Sequence, residues 1–358
     1  MSHTTTGRPA TAAAPPEGAR PPVDREAITR LVCGHMETRA IGAMASLGIA
    51  DRLGDETRPA GELAHELSCE PGALHRLLRA LTALGLVAEV RPAHFALTEQ
   101  GALLRTDRPD SLHSFVRMCT DPAMLEGWRG LEGAVRDGRP AFDDVFGTDF
   151  FTHLAREPEL NDLFNAAMRQ NTGVAARILP TAYDFGRFAT LADVGGGDGT
   201  LLSAVLRAHP GLRGLLYDTA EGLAQSGATF AAAGVADRCT TATGDFFTSV
   251  PAGADAYLLK SVLHDWDDVR SERILGHCRE VVPPHGRLLI VEPVLPDVVD
   301  ASASPLPHLS DLNMLVNLGG RERTRADFVA LCARTGFELA DVTPLAPARY
   351  ALVEAVPV

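Results

Sequence analysis

The run TLADVGGGDGT, residues 190 to 200, constrains the fold of this chain more than any other stretch. Five residues suited to a buried strand lead straight into a glycine cluster, and TLLSAVLRAH follows with helical spacing. The segment therefore predicts strand, tight turn and helix. Glycines let a backbone turn sharply and let a ligand come close, while the helix N-terminus beyond offers unpaired amides. A dinucleotide fingerprint starting at Gly195 needs glycine at position 200, where Thr200 stands. What remains is GxGxG, formed by Gly195, Gly197 and Gly199 and preceded by Asp193.

The sequence around this turn alternates short Leu- or β-branched-rich runs with helical segments, which predicts a parallel sheet with crossover helices. GLLYD, CTTAT, DAYLLK, GRLLIVEP and ARYALVEAVP read as further strands. Ligands of such sheets bind at the C-terminal strand ends. Asp218 closes GLLYD, where a carboxylate can accept both hydroxyl hydrogens of a ribose. That pairing suits S-adenosylmethionine better than a pyrophosphate cofactor. In GDFF, Asp245 and Phe246 stand where a carboxylate meets an adenine amine and a ring stacks on the base; an acidic loop residue and a core phenylalanine fit the same letters. YLLKSVLHDWDD then puts Lys260 at a strand end and His264 in the loop after it. Lys260 is the chain's one lysine, although Lys and Arg together number 33.

The N-terminal half has another character. Residues 1–22, rich in Thr, Ala and Pro without an apolar core, predict a disordered tail and exclude a secretory signal. Residues 23–105 read as helices, with Pro71 at a first helical position and Gly85 as a stop, followed by a two-stranded wing in LVAEVRPAHFALTEQG. The ensemble resembles a winged helix. Arg76, Arg79 and His75 on its second helix invite a DNA-binding reading, but Glu62, Glu66, Glu70 and Glu89 leave no basic stripe. A net charge of −13 further opposes nucleic acid as a partner. Residues 106–180 are mainly helical, with Phe115, Met118, Met124, Trp128, Phe164 and Met168 as apolar anchors. Six scattered cysteines form no CxxC pair, so neither a zinc site nor a disulfide framework is indicated, and a reducing cytoplasm is the simplest setting. No run approaches the ~20 apolar residues of a membrane span.

Taken in order, DVGGGDG, GDFF, LLKSVLHDW, LLIVEPVLP and DLNMLVNLGGRERTRADF resemble the S-adenosylmethionine-dependent small-molecule O-methyltransferases of plant phenolics and bacterial antibiotic tailoring. The resemblance implies an α/β fold: a Rossmann-like sheet with a reversed last strand in a cofactor-binding catalytic domain, 181–358. It also implies an N-terminal, mainly helical, winged-helix-like domain used for homodimerisation, with 106–180 linking the two and lining the acceptor pocket. His264 is then the general base, flanked and oriented by Glu292 and Glu322. Cofactor contacts fall on Asp193, Gly195, Gly197, Asp218, Asp245, Phe246 and Lys260. Acceptor contacts fall on Phe164, Met168, Met314 and Asn317, although Met and Phe at such places also serve as core.

The chemistry is coherent with that assignment. A phenol of pKa ~10 is a poor nucleophile at neutral pH, and an imidazole of pKa ~6.5 can take its proton as the oxygen attacks the methyl group. A carboxylate on the other ring nitrogen fixes the tautomer. The sulfonium already activates the methyl, so no metal is expected; Asp267 and Asp268 stand where helix caps belong, and Asp265 is a supporting or cofactor-side group. The expected reaction is methylation of a hydroxyl, phenolic above all, on a small secondary metabolite. N-methylation, a non-methylating tailoring reaction such as hydroxylation or pericyclic rearrangement, and DNA regulation are the rival readings. YDTAEG and Ser261 depart from the plant pattern and put the acceptor's identity in question.

Overall fold

The computed structural model describes residues 24–358, so the expected tail at 1–22 lies outside the described residues. Asp24 caps the first helix, Arg25–Ser46, by accepting the Ala27 N–H. This helix buries Gly42, Met44 and Ala45 near its end. Ile28, Leu31, Val32 and Met36, at helical positions i, i+3, i+4 and i+8, stay between 59 and 75% exposed and form an apolar stripe that is not covered by any of the described residues.

Helices Ala60–Glu66 and Pro71–Ala83 follow, the second opened by Pro71 and capped by Glu70, which accepts the Gly72 and Ala73 N–H groups. Beside them lies a small antiparallel sheet of β1 (Arg58–Pro59), β2 (Val87–Arg91) and β3 (His94–Leu97), in the order β1-β3-β2. The expected wing thus has a third strand, two residues long and too short for any alternation to announce. His75 Nε2 and Arg79 Nε lie 3.8 and 3.6 Å from the Glu89 carboxylate of the wing, so both side chains are met within the domain. Met44, Ile49, Leu53, Leu63, Leu78 and Phe95 make its core.

The longest helix, Pro158–Ala182, packs against helices His113–Cys119 and Thr200–Ala208 and so joins the helical region to the sheet. The large sheet contains β4 (Thr190–Val194), β5 (Arg213–Asp218), β6 (Cys239–Thr243), β7 (Ala256–Lys260) and β8 (Arg287–Glu292). A separate parallel pair, β9 (Val294–Leu295) with β10 (Arg323–Thr324), precedes β11 (Phe337–Pro344) and β12 (Ala351–Pro357). The strand order is β11-β12-β8-β7-β4-β5-β6, and β12 alone runs antiparallel to its neighbours. This is the expected Rossmann-like sheet with a reversed last strand. Residues of β4, β7 and β8 are almost continuously buried, as strands covered on both faces must be.

From β4 the chain runs outward through β5 and β6, then returns to the opposite side of β4 with β7. The order reverses between β4 and β7, and the crevice at their C-terminal ends is where such sheets bind ligands. The glycine turn and the His264 loop both emerge there.

Candidate active site

Three glycines of the turn have positive φ: Gly195 at 70°, Gly197 at 57° and Gly199 at 77°. A methyl group on Gly195 would sit 2.8 Å from Val262 Cγ2, whereas one on Gly197 would meet nothing within 4 Å. Gly197 is therefore required for its conformation and leaves open space beside it. Its N–H donates to Asp218 Oδ2 at 2.8 Å, and the Thr219 N–H donates to Oδ1 at 2.7 Å, so the Asp218 carboxylate is held rigidly at the end of β5. Burial raises its pKa, against these amide bonds.

Asp193 lies beneath the same turn, 1% exposed, with neither carboxylate oxygen hydrogen-bonded. Burial, then the nearby Asp218, pushes its pKa up to about 7, while Lys260 pulls it back. A buried carboxylate without donors is costly. The arrangement fits a ligand carrying amino or hydroxyl donors. Phe246 is half-buried and its ring lies 3.5 Å from where a Gly195 methyl would be. Asp245 is exposed and closes its own turn, accepting the Phe247 N–H at 2.8 Å and the Thr248 hydroxyl at 3.2 Å.

Lys260 ends β7. Its ammonium donates to Thr172 Oγ1 of the long helix at 3.1 Å and sits 5.0 Å from the centre of the Tyr350 ring, whose hydroxyl accepts from Asn171 at 2.9 Å. The lone lysine thus spans the end of β7 and the helix that carries Phe164 and Met168.

Ser261 follows with φ of 53°, a left-handed conformation rare outside glycine, and its hydroxyl is buried without a partner. The next three N–H groups, of Val262, Leu263 and His264, all donate to Glu292 Oε1, at 3.2, 2.6 and 3.1 Å. Glu292 therefore grips the backbone of the loop; it does not touch the imidazole. Glu322 does, accepting from His264 Nδ1 at 3.1 Å, while Nε2 lies 3.4 Å from Asp265 Oδ1. Burial alone would lower the His264 pKa, but Asp265, Glu322 and Glu292 outweigh it and raise it to about 10. Burial also pushes Asp265 up, to about 7, against the attraction of His264.

Sequence reading missed the supports of this loop. Arg323 in GRERT is fully buried and donates to the Leu263 and Trp266 carbonyls, to Ser271 and to Asp268. Gly320 crosses so close that a methyl group there would overlap the His264 carbonyl oxygen, and the Arg321 N–H donates to that oxygen at 2.9 Å. The Ser310 hydroxyl donates to Glu322 Oε1 at 2.8 Å. Asp267 caps helix Asp268–Val281, as expected, by accepting the Arg270 N–H.

Of the residues expected to contact the acceptor, Phe164 and Met168 are half-buried in a cluster with Met118, Met124, Phe142 and Phe150. Phe151 in this cluster packs on Trp266 of the His264 loop, ring centres 5.3 Å apart. Met314 is 7% exposed. Asn317 is fully enclosed, its side-chain N–H donating to Asn313 Oδ1, which also accepts from the Trp128 indole.

Residues 128–338 match the family description of an O-methyltransferase domain, and residues 29–107 that of an O-methyltransferase dimerisation domain. Over 337 residues the chain is 48% identical to the O-demethylpuromycin-O-methyltransferase of Streptomyces alboniger, spanning 93% of this chain and 89% of that one. It is 40% identical over 331 residues to the phenazine O-methyltransferase PhzM of Lysobacter antibioticus, spanning 92% and 96%. The solved structure of LaPhzM superposes with a TM-score of 0.88 at 40% identity, covering 93% of this chain and 99% of that one.

Proposed function

The chain belongs to the family of S-adenosylmethionine-dependent O-methyltransferases, and on that premise we propose that it methylates a phenolic hydroxyl of a small secondary metabolite, with His264 as the base. The observation that carries this reading is the 3.1 Å bond from His264 Nδ1 to Glu322, made beside the glycine turn at the sheet's switch point.

S-adenosylmethionine, when bound, supplies a methyl group made electrophilic by its sulfonium. Asp193, with two unpaired oxygens, Asp218, fixed by Gly197, and Phe246, beside Gly195, are the residues that would hold it. Asp245 and Lys260 join them on the adenosyl side. With Nδ1–H committed to Glu322, it is the neutral form of His264 that presents an Nε2 lone pair for the acceptor's proton. Against burial, Asp265, Glu322 and Glu292 raise the pKa of the imidazole, which makes its neutral form a stronger base toward a phenol than a free imidazole is. Glu292 fixes the loop that positions this ring. Phe164, Met168 and Met314, with Phe151 and Trp266, would give the acceptor apolar contacts, and Asn317 a polar one. The exposed stripe of Ile28, Leu31, Val32 and Met36 supports a homodimer formed through the N-terminal domain.

The test offers phenolic and amine acceptors with S-adenosylmethionine and looks for a gain of one methyl mass. Phenols should gain it, and His264→Ala should keep cofactor affinity while losing turnover by roughly a hundredfold or more. Methylation of amines alone would favour the N-methyltransferase reading, and undiminished turnover in His264→Ala would remove the base.

A further inference from the structure

We propose that Ser310 is a positioning residue for His264: its hydroxyl shares Glu322 Oε1 with the imidazole, fixing that carboxylate and limiting its hold on the imidazolium. The inference rests on reading His264 as the base. Ser310 and Asp311 are consecutive residues of helix Leu306–Asn317, and together they hold Glu322 at two points. The Ser310 hydroxyl donates to Oε1 at 2.8 Å, and Asp311 Oδ1 accepts the Glu322 N–H, also at 2.8 Å. Glu322 is 2% exposed and its Oε2 has no partner, so Oε1 carries both of the side chain's hydrogen bonds.

Two donors on one carboxylate oxygen compete. A hydroxyl that stabilises the carboxylate charge weakens what that charge can do for an imidazolium 3.1 Å away. Removing the hydroxyl leaves Oε1 to His264 alone, so the ring holds its proton more tightly and a smaller fraction is neutral at a given pH. Asp311 still anchors the backbone, which keeps Glu322 in place. The other charges acting on the ring, Asp265 on its own loop and Glu292 on β8, are unchanged, as are the cations that act on the surrounding carboxylates: Lys260 on Asp265, Arg323 on Glu292 and Arg321 on Asp311.

The experiment titrates His264 by NMR in the full chain labelled at histidine, its resonance identified by loss in His264→Gln. In Ser310→Ala the midpoint should rise by about half a pH unit or more, with the acid limb of kcat/KM rising alongside it. Ser310→Thr, which retains a hydroxyl, should return both toward the parent values. A midpoint that stays or falls in Ser310→Ala overturns the proposal, as does failure of threonine to restore it. The titration needs no turnover, so it judges Ser310 even if His264→Ala proves fully active and the base assignment falls.

Discussion

Arg323 donates to the carbonyl oxygen of Leu263 at 2.9 Å from a side chain with no exposed surface, so the loop bearing His264 is gripped by a buried cation. Glu292 holds the same loop through three amides. Acceptors of one peptide stretch are met by Arg323 and its donors by Glu292. The loop's odd conformation at Ser261 is therefore imposed by its surroundings.

Replacing Arg323 by methionine removes the buried cation from Asp268 and the guanidinium donors from two carbonyls and Ser271, leaving only the longer bonds from Ser271, the Trp266 N–H and Arg334. Unfolding in urea should show a loss of about 3 kcal/mol. Arg323→Lys restores a charge but cannot satisfy four separate acceptors, and turnover should remain well below the parent. Unchanged stability in the methionine variant would show that the loop holds its shape without the guanidinium.

The pH profile follows from the sign of the His264 shift. A base must be neutral, and its pKa is raised to about 10, so kcat/KM should climb with pH through the alkaline range. Glu322→Gln removes one of the carboxylates that raise it. The acid limb should then move to lower pH, by about one pH unit or more, while the plateau drops because the ring is held less firmly. A limb that stays in place would mean another group titrates.

Asp218 is tied to the glycine turn through the Gly197 N–H. Asp218→Ala should weaken S-adenosylmethionine binding by about 1.5 to 3 kcal/mol in calorimetry. Equal affinity in the variant would shift the ribose contact elsewhere.

Gly320→Ala places a methyl against the backbone of His264, Asp265 and Trp266, atoms that cannot rotate away. Thermal unfolding should reveal a loss of about 2 kcal/mol or more, with turnover falling too. Gly34→Ala, inside helix Arg25–Ser46, adds a methyl that meets nothing within 4 Å; as the clash-free control it should stabilise by about 0.5 to 1 kcal/mol.

What could be read in the sequence was what is local in it. The glycine turn, Asp218 at its strand end and His264 after β7 each declare themselves within a dozen residues, and the strand periodicity set the architecture around them. β11 was missed because it lies at the sheet's edge, where Glu338, Asp341 and Thr343 interrupt the apolar residues and half of the strand is exposed, leaving no apolar run. Arg323, Gly320 and Ser310 were missed for a different reason. Arg323 and Gly320 matter through a crossing with a segment more than 50 residues away, and Ser310 through Glu322, twelve residues on, which itself meets that segment; nothing in GRERT alone reveals which carbonyls its second arginine will meet. Glu292 was singled out, but only the folded chain shows that its partner is peptide backbone.

Lys260 bridges the end of β7 to Thr172 and the face of Tyr350, and it carries the chain's sole ε-amine. Any amine-selective reagent, chain terminus aside, therefore labels a single address in the protein. How fast that address is acylated reads out, from one atom, how tightly strand, helix and tyrosine are closed upon each other.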